Sequence, residues 1–517
     1  MNVKVNNCSF NNLSSGDEGG AIYTDFSSAD YLFELDNCNF NNTKSKYDGG
    51  AIYFKSEFRV DKGKKLIVNN SNFTNSIAYI DGGAIQNKAY TNLTVNNSNF
   101  INCTSNKHGG AICHEPYIED VPLTIVNSTF INNTAKEKDG GAIYISDEDT
   151  AHIYNSSFIN NTAKEGNGGA ITLACQYING SIVDGCLFIN NTASKAGAVY
   201  VMGLTNITHC AIIDNPDNNG QDISSGDYHY IDNNNLAYNW WGSNKDPKDR
   251  YSGNITNHNW VLMTFISNET TMFAGNTYNL TAGLTKFTDG ENISDYTSYL
   301  PIRNVTFTAN TGVFNPVTGE LVNNKLNTLY SNSTTNNTIY ATIDHQTLEL
   351  PMYIANMSLN INTNASTVNL GDTVPHIIEI NNTCDYNLTG LHFVENIPDG
   401  LIFNNFIGND WYKVGNVFYY NKTLEPNQTA TITLFFKTTK EGNINTVVVS
   451  SNEIKNINCT SSITVINNQT NQTNQTNQTD NNKTGNNTDN NNSNNSNNSN
   501  NSSFVNNIDS NKAPFLK

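Results

Sequence analysis

The sequence is 517 residues long, which suggests about three to four domains. Its 28 Lys and Arg residues against 46 Asp and Glu residues give a formal net charge of -18. This charge argues against nucleic acid or an anionic membrane surface as the main partner, because both attract basic patches. With a hydrophobic content of 37% and no long apolar run, the sequence predicts a thin, elongated core without a transmembrane helix.

The beginning of the chain, MNVKVNNCSF, lacks the charged and apolar regions of a signal peptide. Met1 stands just ahead of the first repeat motif, so we expect an N-terminally truncated chain. Asparagine is unusually abundant, with 96 residues, close to a fifth of the sequence, and this excess needs a structural reason.

Two paired motifs repeat through the first half. The tetrapeptide Gly-Gly-Ala-Ile recurs six times, with a weaker copy at 196–199, at the following positions: Gly19–Ile22, Gly49–Ile52, Gly82–Ile85, Gly109–Ile112, Gly140–Ile143 and Gly168–Ile171. A phenylalanine motif recurs every 27 to 33 residues, at Phe10, Phe40, Phe73, Phe100, Phe130, Phe158 and Phe188, and Ile212 continues it. Length varies only between GGAI and the next Phe. This pattern indicates a coil stacked in register, with loops on one side.

The residues around each Phe form columns. The position two residues before Phe is always Cys or Ser, beginning with Cys8 and Cys38. The position two residues after Phe is Asn, beginning with Asn12, and only the last copy has an Asp there, Asp214. Period-two alternation would place all three columns on one strand face, where rings stack and amides hydrogen-bond from coil to coil. Asn also tolerates the left-handed conformation that a sharp coil corner requires. The sequence therefore predicts a parallel β-helix of about eight coils.

The GGAI and Phe repeats, over about residues 1–215, resemble those of chlamydial polymorphic outer-membrane proteins. The Asn-rich style, with NNLAYNWWGSN closing the series, is similar to adhesin-like surface proteins of methanogenic archaea. The resemblance implies an exported, right-handed parallel β-helix used for surface attachment. Neither an export signal nor an autotransporter barrel is visible in the sequence.

The stretch from Tyr228 to Trp260 breaks the repeat and contains Trp240 and Trp241. We expect these two indoles to cover the end of the coil stack, because an open solenoid end needs a cap. The alternative is an aromatic platform for a sugar ring.

Short alternating segments between Gly, Asn and Pro turns then predict two antiparallel sandwiches, over 261–356 and 357–466. The order of segments in the second resembles the Ig-like conserved repeat domain of bacterial and archaeal cell-surface proteins, which implies a spacer module. The β-helix with its cap would occupy 1–260.

The tail, 467–517, is dominated by Asn-Gln-Thr and Asn-Asn-Ser triplets. It lacks apolar residues to bury, so we expect a disordered stalk, glycosylated on its Asn-x-Ser/Thr triplets if the protein is exported. Prion-like association is the competing interpretation. Within the folded part, we expect acceptor asparagines at Asn92, Asn133, Asn161, Asn191 and Asn254.

The sequence contains few residues in patterns suited to catalysis, and we predict no catalytic, metal-binding or cofactor-binding residue. Pectin-degrading β-helix enzymes need clustered Asp with an Arg or Lys base, or closely paired carboxylates. The only arginines are Arg59, Arg250 and Arg303. A groove on the helical stack with three or more acidic residues beside a Lys or Arg would favour such an enzyme.

Two smaller patterns leave alternatives open. Asp48, Asp81 and Asp139 precede the GG pair, with Glu18 in the first coil, and suit either turns or a weak calcium column. The cysteine pairs Cys8/Cys38 and Cys186/Cys210 suit either buried thiols or a disulfide ladder in an oxidising space.

The sequence as a whole predicts a non-enzymatic, extracellular cell-surface protein. The expected partners are cell-surface glycans or proteins of host or microbial cells, contacted through loops such as Lys55–Lys65 and Glu115–Pro122, with an anchor that the sequence does not show. The alternative function is a β-helix lyase or hydrolase acting on extracellular polysaccharide.

Overall fold

A computed structural model gives the protein an all-β fold, and it describes residues 2–25, 31–56, 65–116, 121–146, 149–174, 180–226, 234–269, 272–273, 277–331, 337–353, 357–384, 386–451 and 457–467. A parallel β-helix is followed by two antiparallel sandwiches of Ig-like type, which confirms the predicted fold class. Helix in these ranges is limited to one 3₁₀ turn, Lys248–Arg250. The predicted tail lies, from 468 onward, outside the described residues.

Four parallel sheets run along the β-helix, with 10, 8, 7 and 9 strands. The first sheet contains β1 (Asn2–Asn6), β5 (Leu32–Asp36), β9 (Lys65–Asn69), β13 (Asn92–Asn96), β17 (Leu123–Val126), β21 (Ala151–Tyr154), β25 (Ser181–Asp184), β29 (Thr205–Thr208), β32 (Asn234–Asn235) and β34 (Ile255–Asn257). The second contains β2 (Ser9–Asn11), β6 (Asn39–Asn41), β10 (Asn72–Thr74), β14 (Asn99–Ile101), β18 (Thr129–Ile131), β22 (Ser157–Ile159), β26 (Leu187–Ile189) and β30 (Ala211–Ile213).

The third and fourth sheets complete each coil. The third contains β3 (Ser14–Ser15), β7 (Lys44–Ser45), β11 (Ile77–Ala78), β15 (Thr104–Ser105), β19 (Thr134–Ala135), β23 (Thr162–Asn167) and β27 (Thr192–Lys195). The fourth contains β4 (Ile22–Asp25), β8 (Ile52–Lys55), β12 (Ile85–Lys88), β16 (Ile112–His114), β20 (Ile143–Ile145), β24 (Ile171–Leu173), β28 (Val199–Val201), β31 (Ile223–Ser225) and β33 (Tyr251–Ser252). The coil that begins at β29 has no strand in the third sheet, so the stack has about seven complete turns, against the eight predicted.

The phenylalanine column forms the centre of the β-helix, as predicted. Neighbouring rings from Phe10 to Phe188 lie 4.6 to 5.1 Å apart between centroids, with interplanar angles between 2° and 9°. The column continues at Ile212, which pairs in register with Phe188. Each aromatic pair adds about 0.5–1.5 kcal/mol beyond the burial of its surface, so the stack fixes coil on coil.

The small-residue column beside Phe also faces inward, as predicted. The backbone N–H of one member donates to the side chain in the next coil; for example, the Ser71 amide donates to Ser98 Oγ at 3.1 Å. The cysteines of this column, Cys8, Cys38, Cys186 and Cys210, are free thiols. The structure therefore shows the thiol alternative and not the disulfide ladder.

The prediction that the Asn column two positions after Phe shares the inward face is wrong. Asn12 and its equivalents have φ near +55°, which confirms that Asn provides the left-handed conformation at the coil corner, and they turn the chain there. This turn breaks the period-two alternation and moves the side chains to the outside. There they still hydrogen-bond from coil to coil, as in Asn42 Nδ2 to Asn12 Oδ1 at 3.0 Å.

The next position along the chain forms a buried amide ladder that alternation does not predict. Asn133, Asn161, Asn191 and Asn215 are 0% exposed. Each of the first three donates through Nδ2 to Oδ1 of the next, at 2.8 to 2.9 Å. The ladder ends at Asn215, whose backbone N–H donates to the carboxylate of Asp222. This buried carboxylate pairs with Arg250.

These buried positions also correct the predicted glycosylation sites. Asn133, Asn161 and Asn191 are each followed by Thr-Ala, so the acceptor triplet begins at the Asn one residue earlier. In addition, the side-chain amides of these three residues are buried and hydrogen-bonded within the ladder. Asn92 and Asn254 are exposed and begin true triplets.

The C-terminal end of the β-helix shares a hydrophobic core with the first sandwich. Ala211, Ile213 and Trp240 pack in one cluster with sandwich residues such as Val261 and Phe307. The cap is therefore an interface between the coil stack and the next domain.

Each sandwich consists of two sheets that are antiparallel except for one parallel edge pair. In the first, β35 (Trp260–Ser267), β37 (Thr277–Thr288), β42 (Lys325–Ser331), β40 (Val313–Asn315) and β38 (Ile293–Asp295) pack on β36 (Met272–Phe273), β44 (Gln346–Tyr353), β43 (Asn337–Ile343), β39 (Asn304–Ala309) and β41 (Thr318–Glu320). In the second, β45 (Met357–Thr363), β47 (Thr373–Asn382), β52 (Thr429–Thr438) and β49 (Leu401–Ile407) pack on β46 (Thr367–Asn369), β54 (Ile457–Ile466), β53 (Gly442–Ser451), β48 (His392–Asn396), β51 (Val417–Tyr420) and β50 (Trp411–Val414). The parallel pair is β36 with β44 in the first sandwich and β46 with β54 in the second.

Candidate functional site

The connections from the fourth sheet to the first sheet form one variable edge of the β-helix. They range from three residues, 89–91, to nine residues, 56–64. The corners from the first sheet to the second, and from the second to the third, hold two residues in every complete coil. Of the two loops predicted for recognition, residues 57–64 and 117–120 lie outside the described residues.

At the base of this edge, a lysine bridges carboxylates from neighbouring coils. Lys88, the last residue of β12, places Nζ 3.0 Å from Asp48 Oδ2 and 3.8 Å from Glu115 Oε2. The side chains of Lys88 and Asp48 are only 18% and 10% exposed, whereas that of Glu115 is 43% exposed. The bridge therefore spans three coils and leaves Glu115 open to solvent.

Asp48 and Asp81, which precede two of the GG pairs, belong to this cluster, and Asp139 occupies the same position further along the stack. Asp48 Oδ1 accepts the Asp81 amide at 3.1 Å, Asp81 Oδ1 accepts the His108 amide at 2.7 Å, and Asp139 Oδ1 accepts the Asn167 amide at 2.7 Å. Each carboxylate thus joins its coil to the next. Among the described residues, no group of three or more His, Cys, Asp or Glu is placed to hold a metal ion.

Burial and charge shift the protonation of this cluster. Burial raises the pKa of Asp81, and it also raises the pKa of Glu115 despite the opposing charge of Lys88. Burial alone would lower the pKa of Lys88, but the carboxylate of Asp48, helped by Glu115, raises it above its ordinary value. The ammonium of Lys88 therefore remains charged at neutral pH, and it cannot act as a general base in this arrangement.

Gln86, on the same strand as Lys88, is a buried amide without a hydrogen-bond partner. It is 0% exposed, and neither Oε1 nor Nε2 makes a hydrogen bond. It pairs in register with Tyr53 on one side and Cys113 on the other. Gln86 and Lys88 are two residues apart on one strand, so they lie on the same face of the sheet. Leaving such an amide unsatisfied costs about 1–3 kcal/mol.

An aromatic row leads to Gln86 from the first coil. Tyr23 pairs in register with Tyr53, and their rings stack at 5.5 Å between centroids with an angle of 20°. Tyr23 is 50% exposed, whereas Tyr53 is 5% exposed. The outer face of the fourth sheet thus presents an open ring, a buried ring and then a buried amide.

The two tryptophans of the cap are buried, so the expectation of an end cap is confirmed and the alternative of a sugar platform is wrong. Trp240 is 0% exposed and Trp241 is 2% exposed. Trp240 Nε1 donates to Asp344 Oδ2 in the first sandwich, and the guanidinium of Arg250 lies 5.7 Å from the ring of Trp241.

Asp48 and Asp81 stood out in the sequence, and Glu115 begins one of the two loops predicted for recognition, but Gln86 and Lys88 were not predicted. The position that Gln86 occupies is filled by Tyr, Cys or Thr in other coils, at Tyr53, Cys113, Tyr144 and Thr172. An amide in a column of Tyr, Cys and Thr was the feature of the sequence that could have identified Gln86. The contact of Lys88 with Asp48, 40 residues away, was not readable before the register of the coils was known.

Comparison with protein-family models and with curated proteins gives no match. Among solved structures, the chain is similar to the C-terminal domain of AspA, an antigen I/II-family protein of Streptococcus pyogenes, with 8% identity and a TM-score of 0.25, over 40% of this chain and 99% of that one. It is also similar to a C-terminal fragment of intimin in complex with its translocated receptor, with 12% identity and a TM-score of 0.21, and to the Escherichia coli adhesin FdeC, with 12% identity and a TM-score of 0.23. Each of these two matches covers 40% of this chain and 64% of the other. At such scores none of the three carries an argument about this protein.

Over the described ranges, the structure contains no helix of the length and apolar character needed to cross a membrane.

Proposed function

We propose that the protein is a non-enzymatic, adhesin-like protein of the cell surface, which attaches to glycans or proteins of host or microbial cells through the variable edge of its β-helix. One observation carries this proposal: the complete coils pair in register on the first, second and fourth sheets, while the connections from the fourth sheet to the first vary from three to nine residues. Rigid scaffolds that vary at one row of loops are typical of recognition surfaces.

The rest of the chain fits this role. The two sandwiches would act as spacers, and the Asn-, Thr- and Ser-rich sequence of 467–517 would act as an extracellular, glycosylated stalk that leads to an anchor. Many copies on one surface would convert weak single contacts into firm attachment.

A loop exchange tests the proposal. In the full chain, residues 56–64 and 115–122 are each replaced by Ala-Tyr-Thr, the sequence that closes a coil at 89–91. We expect retained circular dichroism and a loss of attachment of protein-coated beads to target cells. A matched control carries Glu137→Ala and Glu165→Ala, two exposed residues on the third-sheet side, and should attach normally. Undiminished attachment by the exchanged protein would refute the proposal.

A second candidate function, a polysaccharide-cleaving enzyme, is favoured by the cluster of Asp48, Asp81 and Glu115 around Lys88. The raised pKa of Asp81 or Glu115 suits a general acid of a hydrolase, whereas the charged Lys88 does not suit the base of a lyase. New reducing ends released from polysaccharides by the full chain, and absent with Asp81→Asn, would replace the adhesin proposal with this one.

A further inference from the structure

We infer that the third sheet carries a second binding surface, a strip of lysines and exposed tyrosines that binds a polyuronate, an extended polysaccharide with one carboxylate on each sugar ring. This inference goes beyond the proposed attachment function, because the strip and the variable edge lie on different sides of the stack, with the fourth sheet between them.

The lysine strip is a basic region on an acidic chain. Although the formal net charge is -18, seven of the 28 Lys and Arg residues lie on the third sheet or in the corner that follows it: Lys44, Lys46, Lys107, Lys136, Lys138, Lys164 and Lys195. All of them except Lys195 are exposed. The same side of these coils holds five carboxylates: Asp48, Asp81, Glu137, Asp139 and Glu165. Asp48 and Asp81 are buried, and Asp48 is already paired with Lys88, so the exposed charge of the strip is positive.

The ammonium groups of the strip lack charged partners, unlike lysines elsewhere in the protein. Lys286 and Lys440, in the sandwiches, pair with carboxylates at 2.6 and 2.7 Å. Among the described residues, no carboxylate forms an ion pair with any lysine of the strip. Lys136 donates instead to the neutral Asn106 Oδ1 at 3.0 Å, and Lys46 Nζ lies 5.6 Å from the ring centroid of Tyr47. These charges are therefore available to an anionic ligand.

One column of the strip keeps its level over five coils. Five small, buried residues pair in register along the third sheet: Ser45, Ala78, Ser105, Ala135 and Ala163. The residue after each one lies on the outer side, and these residues are Lys46, Tyr79, Asn106, Lys136 and Lys164. Neighbouring strands are about 4.8 Å apart, so the column is about 19 Å long. A row of this length can contact several units of an extended polymer.

Two exposed tyrosines lie at the end of the strip nearest the first coil. Tyr79, in the column itself, is 67% exposed, and Tyr47, beside Lys46, is 39% exposed. Polysaccharide sites combine aromatic surface with a few placed polar groups, because the C–H face of a sugar ring packs on an aromatic ring. The tyrosines would hold sugar rings, and the lysines would hold their carboxylates.

The spacing of charge favours a polyuronate over a more densely charged polymer. The strip supplies about one ammonium group per coil, at intervals of about 4.8 Å, and a polyuronate carries one carboxylate per ring. Nucleic acids carry more charge per unit length, and so do heavily sulfated polysaccharides. Their surplus anionic groups would lie near Glu137 and Glu165 and would be repelled by a chain with a net charge of -18.

Calorimetric titration of the full chain with a galacturonate oligomer long enough to span the column, in calcium-free buffer of low ionic strength, tests the inference. We expect the parent to bind and the double variant Lys136→Gln with Lys164→Gln to bind about fivefold more weakly. Tyr79→Ala should weaken binding about threefold. The matched control, Lys286→Gln with Lys440→Gln, changes the net charge equally and should bind within about twofold of the parent. The loop-exchanged chain should bind as the parent does.

Four outcomes would overturn the inference. These are no binding of the galacturonate oligomer, equal weakening by the two lysine double variants, loss of binding in the loop-exchanged chain, and binding of dextran sulfate or oligothymidylate at least as tight as that of the oligomer. Attachment to target cells that is lost on loop exchange would leave the proposed function standing in each case.

Discussion

Trp240 and Asp344 connect the end of the β-helix to the first sandwich through a hydrogen bond of 2.7 Å from the indole Nε1 to Oδ2. Asp344 sits at the tip of the β43–β44 hairpin with φ of +50° and also pairs with Arg303. The adjacent His345 hydrogen-bonds to the carboxylate of Asp214 through Nε2, and Gln346 Oε1 accepts from the backbone N–H of Asn244. Asp214 and Asn244 both lie on the β-helix side. The hairpin tip therefore joins the first sandwich to residues of the β-helix end that lie about a hundred positions earlier in the sequence.

We predict that Asp344→Ala destabilises this junction by about 3–5 kcal/mol, because it leaves Arg303 charged, largely buried and without its partner. Asp344→Asn is the matched control, since Asn tolerates the left-handed backbone and still accepts from Trp240. Urea unfolding followed by tryptophan fluorescence should show a larger loss for Ala than for Asn. Equal losses would mean that the charge of the ion pair, which both variants lack, and not the backbone or the indole hydrogen bond, determines stability here.

The amide ladder gives a prediction for two neighbouring residues with opposite roles. Asn161→Ala removes a side chain that donates to Asn191 and to the Phe130 carbonyl and that accepts from Asn133, so we expect a loss of about 2–4 kcal/mol. Asn160→Gly, at an exposed corner with φ of +55°, should change stability by less than about 1 kcal/mol. Denaturant midpoints measure the loss of stability in both variants. A larger loss for Asn160→Gly than for Asn161→Ala would contradict the structural role of the ladder.

The second sandwich should lose stability as pH rises toward 8 because of Glu395. This residue is 2% exposed, its carboxyl oxygens have no hydrogen-bond partner, and burial raises its pKa to about 8. Because the folded pKa exceeds the ordinary value of 4.5, the unfolded state binds fewer protons between these limits, and stability falls as pH rises through them.

His376 works in the opposite direction. Burial lowers its pKa from 6.5 to about 4, so stability is lost as pH falls through that interval. The two slopes offset each other between about 4.5 and 6.5, and from 6.5 to 8 the glutamate alone should cost on the order of 2 kcal/mol. Pulse-labelling hydrogen exchange on peptides from 357–466, at a fixed labelling pH, should show this fall in the parent. The fall in stability between pH 6.5 and 8 should be absent in Glu395→Gln. A fall that persists in this variant would assign the loss to another group.

Gln86→Leu should stabilise the β-helix by about 1–3 kcal/mol, because it replaces an unsatisfied amide with an apolar group of similar size. Thermal unfolding of the full chain measures this gain. Thr172→Val, which removes an existing hydrogen bond at an equivalent position, should have the opposite sign. A destabilised Gln86→Leu would show that the amide is satisfied in the folded protein.

Repetition in the sequence was enough to predict the stack of Phe rings and the inward Cys and Ser column, because both lie within strands where side chains alternate. The prediction failed at Asn12 and its equivalents, since one left-handed residue resets the alternation. The buried column that follows changes from Thr43, Ser76 and Cys103 to Asn133, so its members looked unrelated. Contacts such as Lys88 with Asp48 and Trp240 with Asp344 depend on three-dimensional register, which no local pattern contains.

The concentration of length variation at the edge between the fourth and first sheets also has a consequence for how such a protein can change. A deletion or insertion between the fourth sheet and the following first sheet leaves every ring, amide and small side chain of the stack at its own level. Neighbouring coils can therefore acquire different display segments independently, as the three-residue connection at 89–91 beside the nine-residue connection at 56–64 already illustrates. Diversification of the displayed surface then requires no compensating mutation in the core.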